Sequence, residues 1–276
     1  MEKYLMNVSL ICSCKNRIKP LLISLQSWLL CDEIKQIVIV DWSSDEPIDH
    51  ILNLSPKIKL VRVNNQEFFN QPQPLNLALK LCTQDIVLKV DSDYILNPYW
   101  NFFEHNTIDD TSFLCGDSDV VVDSSVYPYF KYLRGLLLVN RKSLEEVGGW
   151  NENMGEYYGG EDGEIEKRLE LYGLTKKKIN LDYTIIHMPH SNKDRILNFK
   201  GYKNNDLNEG IRQGLSGYMS GDELEWNTEY SLAEYHIHAN IQMFCESINN
   251  YYSAPKVSWN ITQVNEQFYL ADIVEE

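Results

Sequence analysis

Short runs of branched apolar residues alternate with helical segments through the first 95 residues, and this pattern restricts the fold more than any other feature. Four runs predict strands, at 8–12, 37–40, 58–63 and 86–90. Helical periodicity follows the first run and precedes the fourth, each time with a proline in the first turn. Because these runs are apolar at most positions rather than at every second one, both faces of the sheet must be covered. The sequence therefore predicts parallel βαβ units and an α/β fold.

Polar side chains gather where the predicted strands end, which is where open parallel sheets bind their ligands. They are Ser13, Asn16, Arg17, Asp41, Asp91 and Asp93. The chain contains neither a GxGxxG motif nor a GxxxxGKS or GxxxxGKT motif. The sequence therefore does not support a dinucleotide-binding dehydrogenase or a P-loop enzyme. The layout is still that of a nucleotide site.

The charge of the chain limits its partners. It carries 25 Lys and Arg residues against 40 Asp and Glu residues, a formal net charge of −15. This excess argues against nucleic acid as a partner, because long-range repulsion opposes the binding of many phosphates. An anionic ligand must then be held by a metal ion or by a few donors aimed at it.

Three features bear on the compartment. No apolar stretch reaches the roughly 18 residues that a membrane span needs. The first residues lack the basic-then-apolar layout of a secretory signal. The six cysteines show no CxxC spacing, which favours reduced thiols. Together these features predict a cytoplasmic protein without a transmembrane segment.

The triplet Asp91-Ser92-Asp93 directly follows a predicted buried strand. Two carboxylates at i and i+2, where the backbone turns, can bind one hard divalent cation and the diphosphate that the cation holds. The alternative is an ordinary polar turn. Because a triplet this short also occurs by chance, it supports a metal site only when other motifs point to the same site.

A glycine-rich aromatic loop, 148–160, leads into a predicted helix at 161–172. The first turn of this helix carries Glu161, Asp162 and Glu164, and the helix dipole alone favours acids at that position. The paired glycines before them are harder to explain by capping, because glycine lets the backbone approach a ligand and lets a loop hinge. Both interpretations stay open on the residues alone.

Two histidines, His187 and His190, stand three residues apart at the end of a predicted strand, 183–187. Histidine at such a place is either a metal ligand or a structural residue with satisfied hydrogen bonds. The spacing does not decide between the two interpretations.

The order of these motifs resembles that of the GT-A fold glycosyltransferases. The chain looks like a family 2 enzyme with a galactosyltransferase-type C-terminal half, similar to β-1,4-galactosyltransferases and bacterial chondroitin-polymerase modules, over roughly residues 7–195. The resemblance implies a mostly parallel central sheet flanked by helices. It also implies a catalytic domain at 1–200, divided into a nucleotide-binding half, 1–95, and an acceptor and metal half, 96–200.

The resemblance also assigns residues to the donor nucleotide. The positions that match the family are Ser13, Asn16, Arg17, Asp41, Asn76, Asp91 and Ser92, with Asp41 on the base. The segment 69–76 departs from the family pattern, because Gln71 and Gln73 replace two basic residues. This departure leaves the identity of the donor nucleotide open.

The same resemblance implies a metal ion and a sugar site. Asp93 of the DxD motif, Asp91 and His190 would bind Mn²⁺ or Mg²⁺, with His187 as the rival ligand. The matching positions for the donor sugar and the acceptor are Gly135, Trp150, Tyr157, Tyr158 and Gly160, where Tyr158 stands in place of the family's gating tryptophan.

The implied activity is metal-dependent, inverting transfer of a hexose or N-acetylhexosamine from a UDP-sugar to a hydroxyl of a glycan or glycoconjugate. Asp162 would be the general base, and Glu161 would orient the acceptor. Two alternatives remain. One is a nucleotidyltransferase acting on a sugar phosphate, and the other is a catalytically idle carbohydrate-binding protein with the same fold.

The last part of the chain, 201–276, changes in composition to aromatic residues separated by acids. We expect a mainly helical extension packed on the catalytic domain. Contact with the acceptor and a homodimer interface are the other interpretations, because aromatic surfaces suit both sugar rings and protein interfaces.

Overall fold

A nine-stranded mixed sheet organises the computed structural model of the protein. The structure describes residues 6–97, 102–116, 135–156, 160–180, 185–188, 198 and 257–274. The strands are β1 Val8–Cys14, β2 Ile34–Trp42, β3 Ile58–Val63, β4 Ile86–Lys89, β5 Tyr94–Leu96, β6 Ser112–Cys115, β7 Leu137–Asn140, β8 Thr175–Lys178, β9 Ile185–His187, β10 Ser258–Gln263 and β11 Phe268–Val274. The helices are α1 Ile18–Leu29, α2 Pro72–Lys80, α3 Phe102–His105, α4 Arg141–Glu146 and α5 Glu161–Leu171, with 3₁₀ helices at Asp49–Leu54 and Glu152–Glu156.

The strand order is β10-β11-β3-β2-β1-β4-β7-β6-β8. The part of this order from β11 to β4 is parallel throughout. Its pairs are β11 with β3, β3 with β2, β2 with β1, and β1 with β4. Strand β7 is antiparallel to both β4 and β6, and β8 is parallel to β6. The four strands predicted in the first 95 residues are confirmed, and so is the mostly parallel α/β architecture.

Both faces of the sheet are covered, as the continuous apolar runs predict. Helix α1 buries Leu21, Leu25 and Trp28 on one face. The other face packs against residues of α2, α4 and α5, namely Leu75, Ala78, Leu144, Ile165 and Leu169. Successive strand residues point to opposite cores, since Leu10 and Cys12 lie in the first and Ile11 in the second. The sheet is thus the rigid layer from which the loops at its carboxyl edge project.

A second, two-stranded sheet lies beyond β4. Strands β5 and β9 pair antiparallel, with Tyr94 opposite His187. The indole Nε1 of Trp28 donates a hydrogen bond to the carbonyl oxygen of Tyr94 at 2.8 Å, which ties this small sheet to α1. The pair therefore brings the end of the predicted strand at 183–187 back to the DxD triplet.

The described end of the C-terminal extension forms strands, so the expectation of a mainly helical extension is wrong for 257–274. Strand β11 pairs parallel to β3, and β10 pairs antiparallel to β11. Without them β3 would be a sheet edge with unpaired backbone groups, and strand pairing satisfies these. The backbone N–H of Leu60 donates to the carbonyl of Gln267 at 2.8 Å at the start of this pairing. Residues 201–256 lie outside the described residues.

The described part of the chain contains no helix that is long and apolar enough to span a membrane. Its cysteines, Cys12, Cys14, Cys31, Cys82 and Cys115, are buried free thiols. Burial raises the pKa of the Cys14 thiol to about 12, so this group stays protonated near neutral pH.

Candidate active site

The DxD triplet lies at the carboxyl edge of the sheet, where the sequence predicts it. Strand β4 pairs with β1 on one side and with β7 on the other, and only Val90 separates it from the triplet. Arg17, in the loop after β1, reaches across to the triplet, and its Nη2 lies 2.6 Å from Oδ2 of Asp93. A predicted donor-nucleotide residue, Arg17, and a predicted metal ligand, Asp93, therefore meet directly.

His187 approaches the same carboxylate from β9. Its Nε2 lies 3.6 Å from Oδ2 of Asp93. The imidazole packs edge-on against the ring of Tyr94 at a centroid distance of 4.9 Å. The backbone N–H of Met188 donates to the carbonyl of Asp93 at 2.9 Å, which fixes β9 against the triplet. The structure thus brings His187 to the triplet, whereas His190 lies outside the described residues.

The separation of Asp93 and His187 would permit a shared divalent cation, provided that Arg17, whose Nη2 lies 2.6 Å from the same Oδ2 of Asp93, moves aside. Ligand atoms bonded to one ion at about 2.1 Å lie no more than roughly 4.2 Å apart, and the 3.6 Å separation is within that limit. Both side chains are mostly buried, so they are held in place rather than free in solvent. Among the residues that the structure describes, three or more acids, histidines or cysteines do not converge on one point. Remaining ligands would have to come from elsewhere, such as a bound diphosphate.

Lys89, the last residue of β4, is the main feature that sequence reasoning missed. Its Nζ lies 3.0 Å from Oδ1 of Asp91 and 3.0 Å from Oδ1 of Asp162, and its side chain is 1 % exposed. The signal in the sequence was a lysine inside an otherwise apolar strand. Burial alone would lower the pKa of Lys89, but the attraction of Asp162 and Asp91 outweighs it and raises that pKa. The ammonium group therefore stays charged.

Burial and like charge act together on the acids around Lys89. Burial, followed by repulsion from Asp162, raises the pKa of the Glu161 carboxyl to about 8, although Lys89 opposes this. Burial also raises the pKa of Asp91, again against the attraction of Lys89. Glu161 is therefore mainly protonated near pH 7, and it can donate a hydrogen bond as well as accept one.

Gly135 lies directly against Asp91. Its φ of +103° is in the region that disfavours side chains, and a Cβ built on it would stand 2.3 Å from Oδ2 of Asp91. The side chain of Gln71 also reaches this carboxylate, with Nε2 donating to Oδ1 at 3.3 Å. One of the two glutamines that depart from the family pattern therefore contacts the triplet itself.

Helix α5 begins beside the site after a glycine and is held by a buried ion pair. Gly160 precedes the helix with a φ of +96°. Glu164 accepts two hydrogen bonds from Arg168, each at 2.6 Å. Arg168 also donates to the backbone carbonyls of Val147 and, at 2.7 Å, Gly149. Arg168, held by Glu164, therefore anchors the helix to the glycine loop, while Asp162 in the first turn contacts Lys89.

Asn76 and Trp150, predicted to bind donor and acceptor, are both engaged in packing. The amide of Asn76 exchanges hydrogen bonds with the backbone N–H and C=O of Trp150, each at 2.8 Å, and also donates to Oε1 of Glu152 at 2.8 Å. Trp150 is fully buried. Gly149 is required here, since a Cβ on it would stand 2.3 Å from Oδ1 of Asn76. These residues support the loop rather than line its surface.

Asp41 is fully buried and makes an ion pair with Arg62. Its Oδ1 accepts a hydrogen bond from the backbone N–H of Ser44 at 3.0 Å. The backbone N–H of Asn16 donates to the hydroxyl of Ser44 at 2.9 Å, and its side-chain oxygen accepts from the N–H of Asp45 at 2.8 Å. In this structure Asp41 orders the loops after β1 and β2, and its contact with a base stays a prediction.

Three further predicted residues can be placed and three cannot. Ser13 is half-buried near the end of β1, Ser92 is buried within the triplet, and Gly160 directly precedes α5. The residues that lie outside the described part of the chain are Tyr157, Tyr158 and His190.

A cleft of about 190 Å³ lies between the loop after β3 and the loop after α4. Its lining combines aromatic, amide and carboxylate groups and includes part of the predicted donor segment. The lining residues are Trp42, Gln66, Glu67, Phe68, Phe69, Asn70, Gln73 and Gly155. Lys15 supports the cleft from below, because its buried Nζ donates to the backbone carbonyls of Trp42, Ser43 and Gln66.

The chain was compared with known protein families, sequences and structures. Residues 121–192 match the family described as the N-terminal domain of galactosyltransferase. No curated protein sequence matches the chain.

Three solved structures share the fold. A mannosyltransferase from Pyrobaculum calidifontis, in complex with GDP-Man and Mn²⁺, is 15 % identical with a TM-score of 0.53, over 90 % of this chain and 74 % of that one. The catalytic domain of Drosophila β1,4-galactosyltransferase 7, in complex with xylobiose, is 12 % identical with a TM-score of 0.53, over 98 % and 94 %. Residues 1–349 of S. aureus TarS are 16 % identical with a TM-score of 0.51, over 94 % and 95 %. The chain therefore has the GT-A fold of the glycosyltransferases, as the order of its sequence motifs predicts.

Proposed function

We propose that the protein is a metal-dependent inverting glycosyltransferase. It would transfer a hexose or N-acetylhexosamine from a UDP-sugar to a hydroxyl of a glycan or glycoconjugate acceptor. The main support for this proposal is that Asp91 and Asp162 both contact the buried ammonium group of Lys89. It joins the DxD triplet, which suits a nucleotide diphosphate, to a carboxylate on a separate helix that suits a general base.

Asp162 supplies the base in this mechanism. Its side chain is 21 % exposed, so an acceptor hydroxyl can reach it. As the hydroxyl oxygen forms its bond with C1 of the donor sugar, the proton passes to Asp162. The bond between C1 and the phosphate oxygen breaks on the opposite side, and the diphosphate leaves with the electron pair. Attack opposite the leaving group inverts the anomeric centre.

Glu161 and Arg17 would hold the two substrates. Protonated Glu161 can donate a hydrogen bond to an oxygen of the acceptor sugar and accept one from a hydroxyl, since its pKa lies near 8. Arg17 ends beside Asp93, where a guanidinium can contact a diphosphate oxygen. Exclusion of water from this edge would limit hydrolysis of the donor.

Asp93 and His187 would hold a divalent cation, with Asp91 and His190 as the other predicted ligands. The Pyrobaculum neighbour is a complex with Mn²⁺, and a mutant of the Drosophila enzyme, with a TM-score of 0.51, is a complex with manganese, UDP-Gal and xylobiose. When bound, such an ion neutralises charge that develops on the leaving diphosphate. This role fits a chain in which 40 acidic residues outnumber 25 Lys and Arg residues.

A donor screen tests the proposal. The purified protein is incubated with UDP- and GDP-linked hexoses and N-acetylhexosamines and a panel of oligosaccharide acceptors, with Mn²⁺ or after chelation. We expect UDP release that depends on both acceptor and Mn²⁺. Release of GDP instead would contradict the donor assignment. Pyrophosphate release from a nucleoside triphosphate and a sugar phosphate would identify a nucleotidyltransferase, and oligosaccharide binding without any turnover would identify an idle binding protein.

A further inference from the structure

One buried ammonium connects two separate elements of the site. Lys89 Nζ contacts Asp91, which follows β4, and Asp162, which lies in the first turn of α5, at 3.0 Å in each case. The lysine side chain is 1 % exposed, whereas those of Asp91 and Asp162 are 35 % and 21 % exposed, so the charge of the ammonium is compensated by these two carboxylates rather than by bulk water. A buried ammonium without its carboxylates would carry a large desolvation cost. The three groups therefore stay together.

The backbone of Lys89 is held between two neighbouring strands of the sheet. It pairs with Ile11 of β1 on one side and with Leu137 of β7 on the other. Helix α5 has its own separate attachment, the Glu164–Arg168 pair that binds the carbonyls of the glycine loop. Helix α5 thus has an attachment that does not involve Lys89, while the side chain of Asp162 contacts Lys89.

We propose that Lys89 is a positioning residue that fixes the carboxylate of Asp162 for proton removal, with Asp91 as its second anchor. Without this ammonium, Asp162 would be free to adopt other rotamers on an intact helix. Misplacement of a catalytic group by about 1 Å can lower a rate by roughly 10²-fold. The inference rests on the proposed function, because it assigns Lys89 a role through the proposed base.

A double-mutant cycle tests the inference. The kcat of acceptor-dependent UDP release and the KM of the donor are measured for Lys89→Met, for Asp162→Asn and for the two changes combined. We expect Lys89→Met to lower kcat by at least about 10-fold with the donor KM within about 3-fold. In the Asp162→Asn background, the same change should alter kcat by less than about 2-fold, because the carboxylate it positions is already absent.

Controls separate positioning from a general loss of structure. Lys35→Met removes an exposed lysine from strand β2 at the opposite end of the sheet, and its kcat should equal that of the unchanged protein. Should Lys89→Met fail to fold, Lys89→Arg keeps the buried charge but moves it, and we expect the same fall in kcat with the donor KM retained.

Three results would overturn the inference. They are a kcat in Lys89→Met or Lys89→Arg equal to that of Lys35→Met, an effect on donor KM alone, and a loss of the same size in the Asp162→Asn background. Failure of the proposed function would look different, because the unchanged protein would then release no nucleotide with any donor and acceptor pair.

Discussion

Gly135 is the residue whose replacement should affect the site most directly. Alanine at this position would combine the strain of a φ near +103° with a contact of 2.3 Å to the Asp91 carboxylate. We expect Gly135→Ala to lower acceptor-dependent UDP release by more than about 10-fold and the free energy of unfolding by about 1–3 kcal/mol. Initial-rate assays and urea unfolding measure the two effects.

Gly163 provides the matched control. It lies inside α5, and a Cβ there would meet nothing within 4 Å. Gly163→Ala, in the first turn of α5, should therefore raise the free energy of unfolding by about 0.4–1 kcal/mol, because alanine restricts the unfolded chain more than glycine does. Equal behaviour of the two alanine variants would contradict the close contact between Gly135 and Asp91.

Glu161 makes stability depend on pH. Its pKa of about 8 in the folded protein lies above its ordinary value of 4.5, with burial as the main cause. Between these two values the unfolded chain has lost the proton and the folded chain has kept it, so the folded state loses stability as pH rises from about 5 to 8. We expect Glu161→Gln to remove this contribution. Urea unfolding at several pH values should then show a smaller fall in stability for the variant, and parallel curves would contradict the raised pKa.

Residue identity alone revealed part of the site. Sequence motifs and the family resemblance pointed to the DxD triplet, Asp162 and Gly135, and the structure brings these residues together, while their roles stay predictions. Lys89 and Arg62 could not be found from the sequence, because pairing between distant strands and helices decides which buried cation meets which carboxylate. For the same reason, sequence reasoning placed Trp150 on an acceptor surface, whereas the fold buries it in the core.

Among the elements, helix α5 depends on one buried ion pair. Arg168→Met would leave Glu164, whose side chain is fully buried, without its guanidinium. Removing one partner of such a pair typically costs about 3–5 kcal/mol, because the remaining charge stays buried. We expect a loss of that order in urea unfolding.

Two further variants test this prediction. Lys167→Met, one residue away, removes an exposed lysine in an i,i+3 pair and should cost less than about 1 kcal/mol. The combined change of Arg168→Met and Glu164→Met should recover part of the loss, since no unpaired charge then remains. A loss for Arg168→Met no larger than for Lys167→Met would show that the pair does not anchor the helix.

Helices and strands were predictable where a segment carries its own pattern. The strands β1 to β4 are continuous apolar runs, and α5 is marked by acids at its start and by Gly173, with a φ of +108°, at its end. Strand β8 has no such mark, because its four residues, Thr175–Lys178, are all exposed and three are lysines. It is a strand because β6 offers it backbone partners.

At the scale of the whole molecule, the C-terminal strands β10 and β11 extend the sheet that the N-terminal strands form. Trp259 of β10 packs edge-on against the buried Trp42 of β2, with ring centroids 5.9 Å apart. Oε2 of Glu152 accepts a hydrogen bond from the backbone N–H of Val257 at 2.7 Å, while Oε1 of the same side chain accepts from Asn76. One carboxylate thus joins the last hairpin, the glycine loop and α2.

Removal of this hairpin should therefore affect the molecule as a whole. A chain that ends at residue 256 would lose β10 and β11 and expose β3 as a sheet edge, with Trp42 losing its aromatic neighbour. Exposed strand edges pair with other chains. We expect self-association on size-exclusion chromatography and a Tm lower by several degrees. A chain that ends at residue 274 keeps both strands and should behave like the full chain. A monomeric 256-residue chain with unchanged Tm would show that β3 does not need the hairpin.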